Sequence, residues 1–94
     1  MTGYKIQFTP EAVRLLSKLH PENKKLIKNG LKELKKNPVI GGYLQEELSG
    51  FKSYKLKRYR IIYKMVEENN EIHIYYVGHR SDVYEQFQNL LNKL

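Results

Sequence analysis

"YKLKRYRIIYKM", residues 54–65, alternates aromatic and β-branched side chains with others, the pattern of two strands joined by a short turn. This hairpin reading decides the fold, because it places a sheet in the middle of the chain. It also sets a problem. Lys52, Lys55, Lys57, Arg58, Arg60 and Lys64 fall within thirteen positions that contain no acid. Like charges crowded on one sheet repel, so their concentration points to a partner that neutralises them.

The sequence on either side supplies the rest of a small domain. "YKIQF" (4–8) sets Tyr4, Ile6 and Phe8 against Lys5 and Gln7, a half-buried strand. Thr9 follows as a helix N-cap, with Pro10 at the first helical position and Glu11 in the first turn. Ala12, Leu15, Leu16 and Leu19 then share one helical face. Pro21 ends that helix and starts a second, whose apolar face is Leu26, Ile27, Leu31 and Leu34. Lys24, Lys25, Lys28, Lys32, Lys35 and Lys36 lie largely off that face and suit a solvated surface. "NP" at 37–38 stops the helix.

"VIGGYLQEELSG" (39–50) reads as a loop punctuated by glycine. After the hairpin, "EENNE" (67–71) is a turn. "IHIYYVGHR" (72–80) is a strand apolar on both faces, hence interior to the sheet and stopped by Gly78. Asp82 and Glu85 form a candidate capping box. Val83, Phe87, Leu90 and Leu94 make the stripe of a last helix. The order is β-α-α-β-β-β-α. This is an α+β domain over 1–94, a small antiparallel sheet with an N-terminal helical hairpin on one face and a C-terminal helix. The other sheet face is expected to stay partly open.

Composition narrows the class. Ninety-four residues make one domain. The net charge is +7 and the isoelectric point about 9.6, a balance suited to a polyanion such as nucleic acid or an acidic protein. With no cysteine, disulfides and thiolate metal sites are excluded. His20, His73 and His79 lack the close spacing of a zinc site, so no metal or other cofactor is expected. The start "MTGYKIQF" has no apolar run of signal-peptide length, and no segment approaches a membrane span, so a cytoplasmic protein is expected.

Residues two apart on a strand point the same way. Lys55 and Lys57 therefore share a face if the strand stays regular. With Arg60, Arg80 and Tyr84 they would line one hollow. Lysine in its amine form can accept a proton, and arginine offers a planar fork to phosphate. Tyrosine stacks on a base or donates a hydrogen bond. These parts suffice for RNA cleavage by attack of the 2′-hydroxyl on the adjacent phosphorus, with the growing charge held by fixed cations. A noncatalytic RNA-binding surface would use the same residues.

"YKIQFTPEAVRLLSKL" (4–19), "LSG" (48–50), "YRIIYKM" (59–65) and "IYYVGHRSDVYE" (74–85), in this order, resemble the RelE/ParE toxin superfamily of bacterial and archaeal type II toxin–antitoxin modules. The resemblance spans nearly the whole chain and implies a RelE-like, microbial-ribonuclease-type fold. RelE-like members are mRNA interferases, metal-independent endoribonucleases that cut messenger RNA in the ribosomal A site and so block translation. ParE-like members poison DNA gyrase instead and lack the basic catalytic set, which this chain keeps. By resemblance Lys55 and Lys57 match the strand lysines, one acting as base and both stabilising the transition state. Arg60 matches the phosphate-contacting arginine. Arg80 matches the arginine that stabilises or protonates the leaving group, and Tyr84 the tyrosine that orients the nucleotide.

Lys52, Arg58, Lys64 and His79 are expected to assist RNA binding, while His73 suits a structural place on the sheet. One residue separates Lys57 from Tyr59, so Lys57 belongs either to the strand or to the turn. In the turn, Lys55 with Lys52 or Arg58 would supply the cations. Relatives with a glutamate–histidine pair and a terminal "HY" do not fit a chain ending "LLNKL", and Glu46 and Glu47 suit solvated loop charges. The implied partners are a cognate antitoxin, messenger RNA and the ribosome, with no membrane.

Overall fold

The computed structural model describes residues 3–93. Lys5–Phe8 form β1. Thr9 caps α1 (Pro10–Ser17): its Oγ1 accepts the Ala12 N–H at 3.1 Å, and Pro10 occupies the first turn, where an amide would go unpaired. His20 and Pro21 then redirect the chain into α2 (Pro21–Lys36). Gly30 faces the sheet, where a Cβ would collide with the Leu56 side chain. The bare backbone lets α2 lie close to the sheet.

Lys52–Leu56 (β3), Tyr59–Val66 (β4) and Glu71–His79 (β5) form the antiparallel centre, and Val83–Asn92 form α3. Gly42–Tyr43 (β2) pair with β3, giving a five-stranded sheet in the order β1-β5-β4-β3-β2. β1 runs parallel to β5, with Lys5 opposite Glu71 and Phe8 opposite Ile74, so the sheet is mixed at that edge.

The sheet divides two apolar cores. Ala12, Ile27 and Leu34 of the helical hairpin pack on Ile61, Tyr63, Ile72, Ile74 and Val77. On the other face Val83 and Phe87 of α3 pack with Ile62, Phe51 and Leu48. Phe51 meets Tyr75 and Phe87 edge-on, with centroids 5.0 and 4.9 Å apart. β5 contributes to both cores, as its two apolar faces predict.

Several expectations are corrected. The 39–50 segment is not wholly a loop: it holds β2 and a 3-10 turn at Glu46–Leu48. A two-residue strand is defined by its pairing across the sheet and has no periodicity to read. α3 covers part of the second sheet face, through Val83 and Phe87. The 67–71 turn is a 3-10 turn at Glu67–Asn69, closed by Asn70 in the left-handed region at φ 53°. β5 runs past Gly78 to His79. Asp82 is the α3 N-cap residue, but its side chain makes no capping bond. Leu94 lies outside the described residues.

Tyr63 fastens the loop after α2 to the first core. Fully buried, its hydroxyl donates to the Pro38 carbonyl at 2.7 Å and accepts the Gly41 N–H at 3.0 Å. Burial pushes its phenol up to about 12. The folded value lies above the ordinary value near 10, so the unfolded chain releases this proton first as pH rises. The contribution is complete below pH ~10 and is lost as pH climbs towards about 12. Urea unfolding midpoints measured across that window should fall more steeply for the wild type than for Tyr63→Phe.

Candidate active site

The β3–β4 register decides which cations can act together. Lys55 stands opposite Arg60, and Arg60 stands opposite Gly78 of β5. These three positions form one row across the sheet, on the face that carries α3. Ser53 and Ile62 form the adjoining row on the same face. Lys55 is exposed and Arg60 half-buried.

Turn backbone holds both arginines in place. Arg60 Nη1 donates to the carbonyls of Lys57 and Tyr59, at 2.9 and 2.8 Å. The backbone N–H of Arg80 donates to the Arg58 carbonyl at 2.6 Å, which ties Arg80 to the same hairpin end. Two carbonyls on one guanidinium group fix its plane and leave its other N–H groups free to donate.

Gly78 lets the start of α3 descend on this end of the sheet. A Cβ there would stand 3.0 Å from Val83 Cγ2. The next residue, Tyr84, brings its hydroxyl within 2.8 Å of Ser53 Oγ. Ser53 is 7% exposed, so this bond is shielded from competing water. Ser53 is the candidate position that a reading for charge passes over. Its two-residue offset from Lys55 is the signal that puts it on the same face.

The remaining expected residues are placed elsewhere. Lys57 is not a strand residue: it sits in the two-residue turn at φ 55°, where two-residue hairpins usually carry glycine, asparagine or aspartate. Arg58 shares that turn and is exposed. Lys52 stands opposite Tyr63 and so points to the helical-hairpin face; it is 4% exposed, with Nζ 3.8 Å from the Tyr43 ring centroid. Its three-residue offset from Lys55 reverses the face.

His79 pairs with Tyr59 and meets its ring edge-on at 5.9 Å, again away from the Lys55 row. Its Nδ1 lies 2.9 Å from Ser81 Oγ. Lys64 is on the Arg60 face but four residues along, roughly 13 Å at strand rise. There its Nζ lies 4.5 Å from the Phe51 ring centroid. His73 Nε2 is 2.9 Å from Glu71 Oε1, a local pair on β5. Glu46 and Glu47 are exposed.

A mixed sheet thus lies between a helical hairpin and a C-terminal helix, with a basic row at its hairpin end. Residues 6–88 match the sequence model of a family described as the ParE-like toxin of type II bacterial toxin–antitoxin systems. The chain belongs to that family, within the RelE/ParE superfamily. Toxin RelG of Mycobacterium tuberculosis is 32% identical over 85 residues, covering 88% of this chain and 98% of RelG.

Among solved structures, the toxin–antitoxin complex RelBE2 of Mycobacterium tuberculosis contains a similar chain. It is 31% identical with a TM-score of 0.77, over 84% of this chain and 100% of that one. A mutant of Escherichia coli toxin RelE in the free state gives a TM-score of 0.76 over 99% of this chain and 100% of that one. At 20% identity, that likeness is one of fold.

Proposed function

We propose that this toxin is a ribosome-dependent endoribonuclease that cuts messenger RNA in the A site and is held inactive by a cognate antitoxin. The observation that carries this reading is the row Lys55–Arg60–Gly78, with Arg80 fastened beside it and Tyr84 anchored on Ser53. Lys55, as the free amine, takes the proton of the 2′-hydroxyl, and the oxygen attacks the neighbouring phosphorus. The bond from phosphorus to the 5′-oxygen breaks, leaving a cyclic phosphate, and the departing 5′-oxygen takes a proton from water to become a 5′-hydroxyl. Arg60 donates to the phosphate oxygens as their charge grows, and Arg80 stabilises the departing oxygen. The Tyr84 ring offers a surface for a base to stack on.

Lys57 is assigned a backbone role, through the carbonyl that holds Arg60. Lys57→Gly removes a left-handed lysine, a conformation that costs about 1–2 kcal/mol outside glycine. This variant should unfold no earlier than the wild type and keep most of its cleavage rate. Loss of cleavage as complete as that of Lys55→Ala would return Lys57 to the chemistry.

Primer extension on a defined message, with translating ribosomes and without them, tests the reading directly. Ribosome-dependent cuts that vanish in Arg80→Ala are the expected result. An uncut message with both proteins would sink the nuclease. The matching family's ParE-like description favours gyrase as the second target, which a supercoiling assay reads.

A further inference from the structure

The exposed face of α2 is as basic as the hairpin and plays no part in the site described above. Lys24, Lys25, Lys28, Lys32, Lys35 and Lys36 are all exposed. At 100° per residue they fall within an arc of about 120°, with no acid inside it. Gly30, which rests against the sheet, lies about half a turn from the middle of that arc. The stripe therefore points straight away from the body, on the side opposite the Lys55–Arg60 row. The molecule is 22 Å across its thinnest dimension.

This stripe works against the helix that carries it. Lys24–Lys28, Lys28–Lys32 and Lys32–Lys36 are like-charge pairs four apart, and Lys25–Lys28 and Lys32–Lys35 are pairs three apart. Each such pair weakens a helix. Of these six lysines only Lys36 has an acidic partner among the described residues, Glu33 at 3.9 Å. Solubility alone is served as well by mixed signs, which cost nothing of this kind.

We propose that the α2 stripe is a docking surface for the phosphate backbone of an RNA duplex, separate from the face proposed to cut. The stripe runs about 18 Å along a straight helix. It presents point charges without the planar forks that read bases, which suits a regular array of phosphates. Lys24, Lys25 and Lys28 also border an apolar hollow lined by Phe8, Leu16, Ile27 and Leu31, a shape that would fit an acidic amphipathic segment. Lys32, Lys35 and Lys36 run on beyond that hollow, so the hollow does not account for the whole stripe. The choice of RNA over DNA, and only that choice, rests on the proposed cleavage chemistry.

The test is fluorescence anisotropy with a labelled RNA duplex of about 16 base pairs, a DNA duplex of the same sequence, and a single RNA strand. Three proteins are compared. These are the wild type, the stripe variant Lys28→Gln/Lys32→Gln/Lys35→Gln, and a charge-matched control, Lys5→Gln/Lys18→Gln/Lys93→Gln. Glutamine keeps helix propensity close to that of lysine, so the fold is preserved. The stripe variant should bind duplex RNA roughly 10- to 100-fold more weakly, with a salt slope shallower by about 2–3, while the control stays near the wild type.

An equal loss in the control would reduce the stripe to net charge and overturn the proposal. So would tighter wild-type binding to the DNA duplex than to the RNA duplex, or an equal loss on the single strand. Unchanged duplex binding would overturn it as well. Because the duplex is bound and not cut, the outcome is independent of whether message cleavage is observed.

Discussion

Lys55→Ala and Arg80→Ala will each slow single-turnover message cleavage by a factor on the order of 10²–10³, the usual cost of removing one group that stabilises transition-state charge. Neither should move the thermal unfolding midpoint appreciably. Both side chains are exposed, and substitutions at such positions usually change stability by less than about 0.5 kcal/mol. The contact that places Arg80 comes from its backbone N–H, which alanine retains. The double variant should lose less than the product of the two single losses, because both groups act on one phosphate. Growth arrest by both variants at matched expression would remove these residues from the chemistry. Arg60→Ala is a poorer probe, since it also abandons two carbonyls at the turn.

Gly41→Ala will have the largest effect on stability. A Cβ at this buried position would stand 2.8 Å from Tyr63 Cε1 and 2.9 Å from the Ser53 carbonyl oxygen, with the Tyr63 hydroxyl closer still. The ring is fully buried and the second obstacle is main chain, so neither yields easily. Overpacking of this kind costs about 1–3 kcal/mol. Displacing the loop would also break the hydrogen bond from Gly41 N–H to Tyr63, for about 1 kcal/mol more. For a domain of this size the sum lowers the melting temperature by more than about 10 °C, readable by calorimetry. A melting curve like that of the wild type would show that the loop relaxes freely. The same variant should retain Lys55 and Arg80 chemistry at temperatures where it stays folded.

The elements that were legible in the sequence are those with internal periodicity or local chemistry. Thr9 and Pro10 mark a helix start without reference to anything distant, and the two-residue alternation of "YRIIYKM" marks β4. What escapes such a reading depends on pairing. β2 exists because Gly42 and Tyr43 find Ser53 and Lys52 across the sheet. The turn at 57–58 contains neither glycine nor asparagine, so no local signal separates Lys57 from the strand. The depth of α3 over the second face follows from Phe87 meeting Phe51, a contact between elements more than thirty positions apart in the chain.

In the candidate site, alternation brings Lys55 and Ser53 to one face and sends Lys52 to the other. That arithmetic is available from sequence once the strand limits are known. The place of Arg80 is not, because a backbone bond to the turn sets it.

The turn orients its neighbours through carbonyl oxygens, which every amino acid possesses. Positions 57 and 58 can therefore change with the Arg60 and Arg80 contacts retained, position 57 within the residues that tolerate its positive φ. Drift there is decoupled from the cleavage chemistry proposed for Lys55, two residues away.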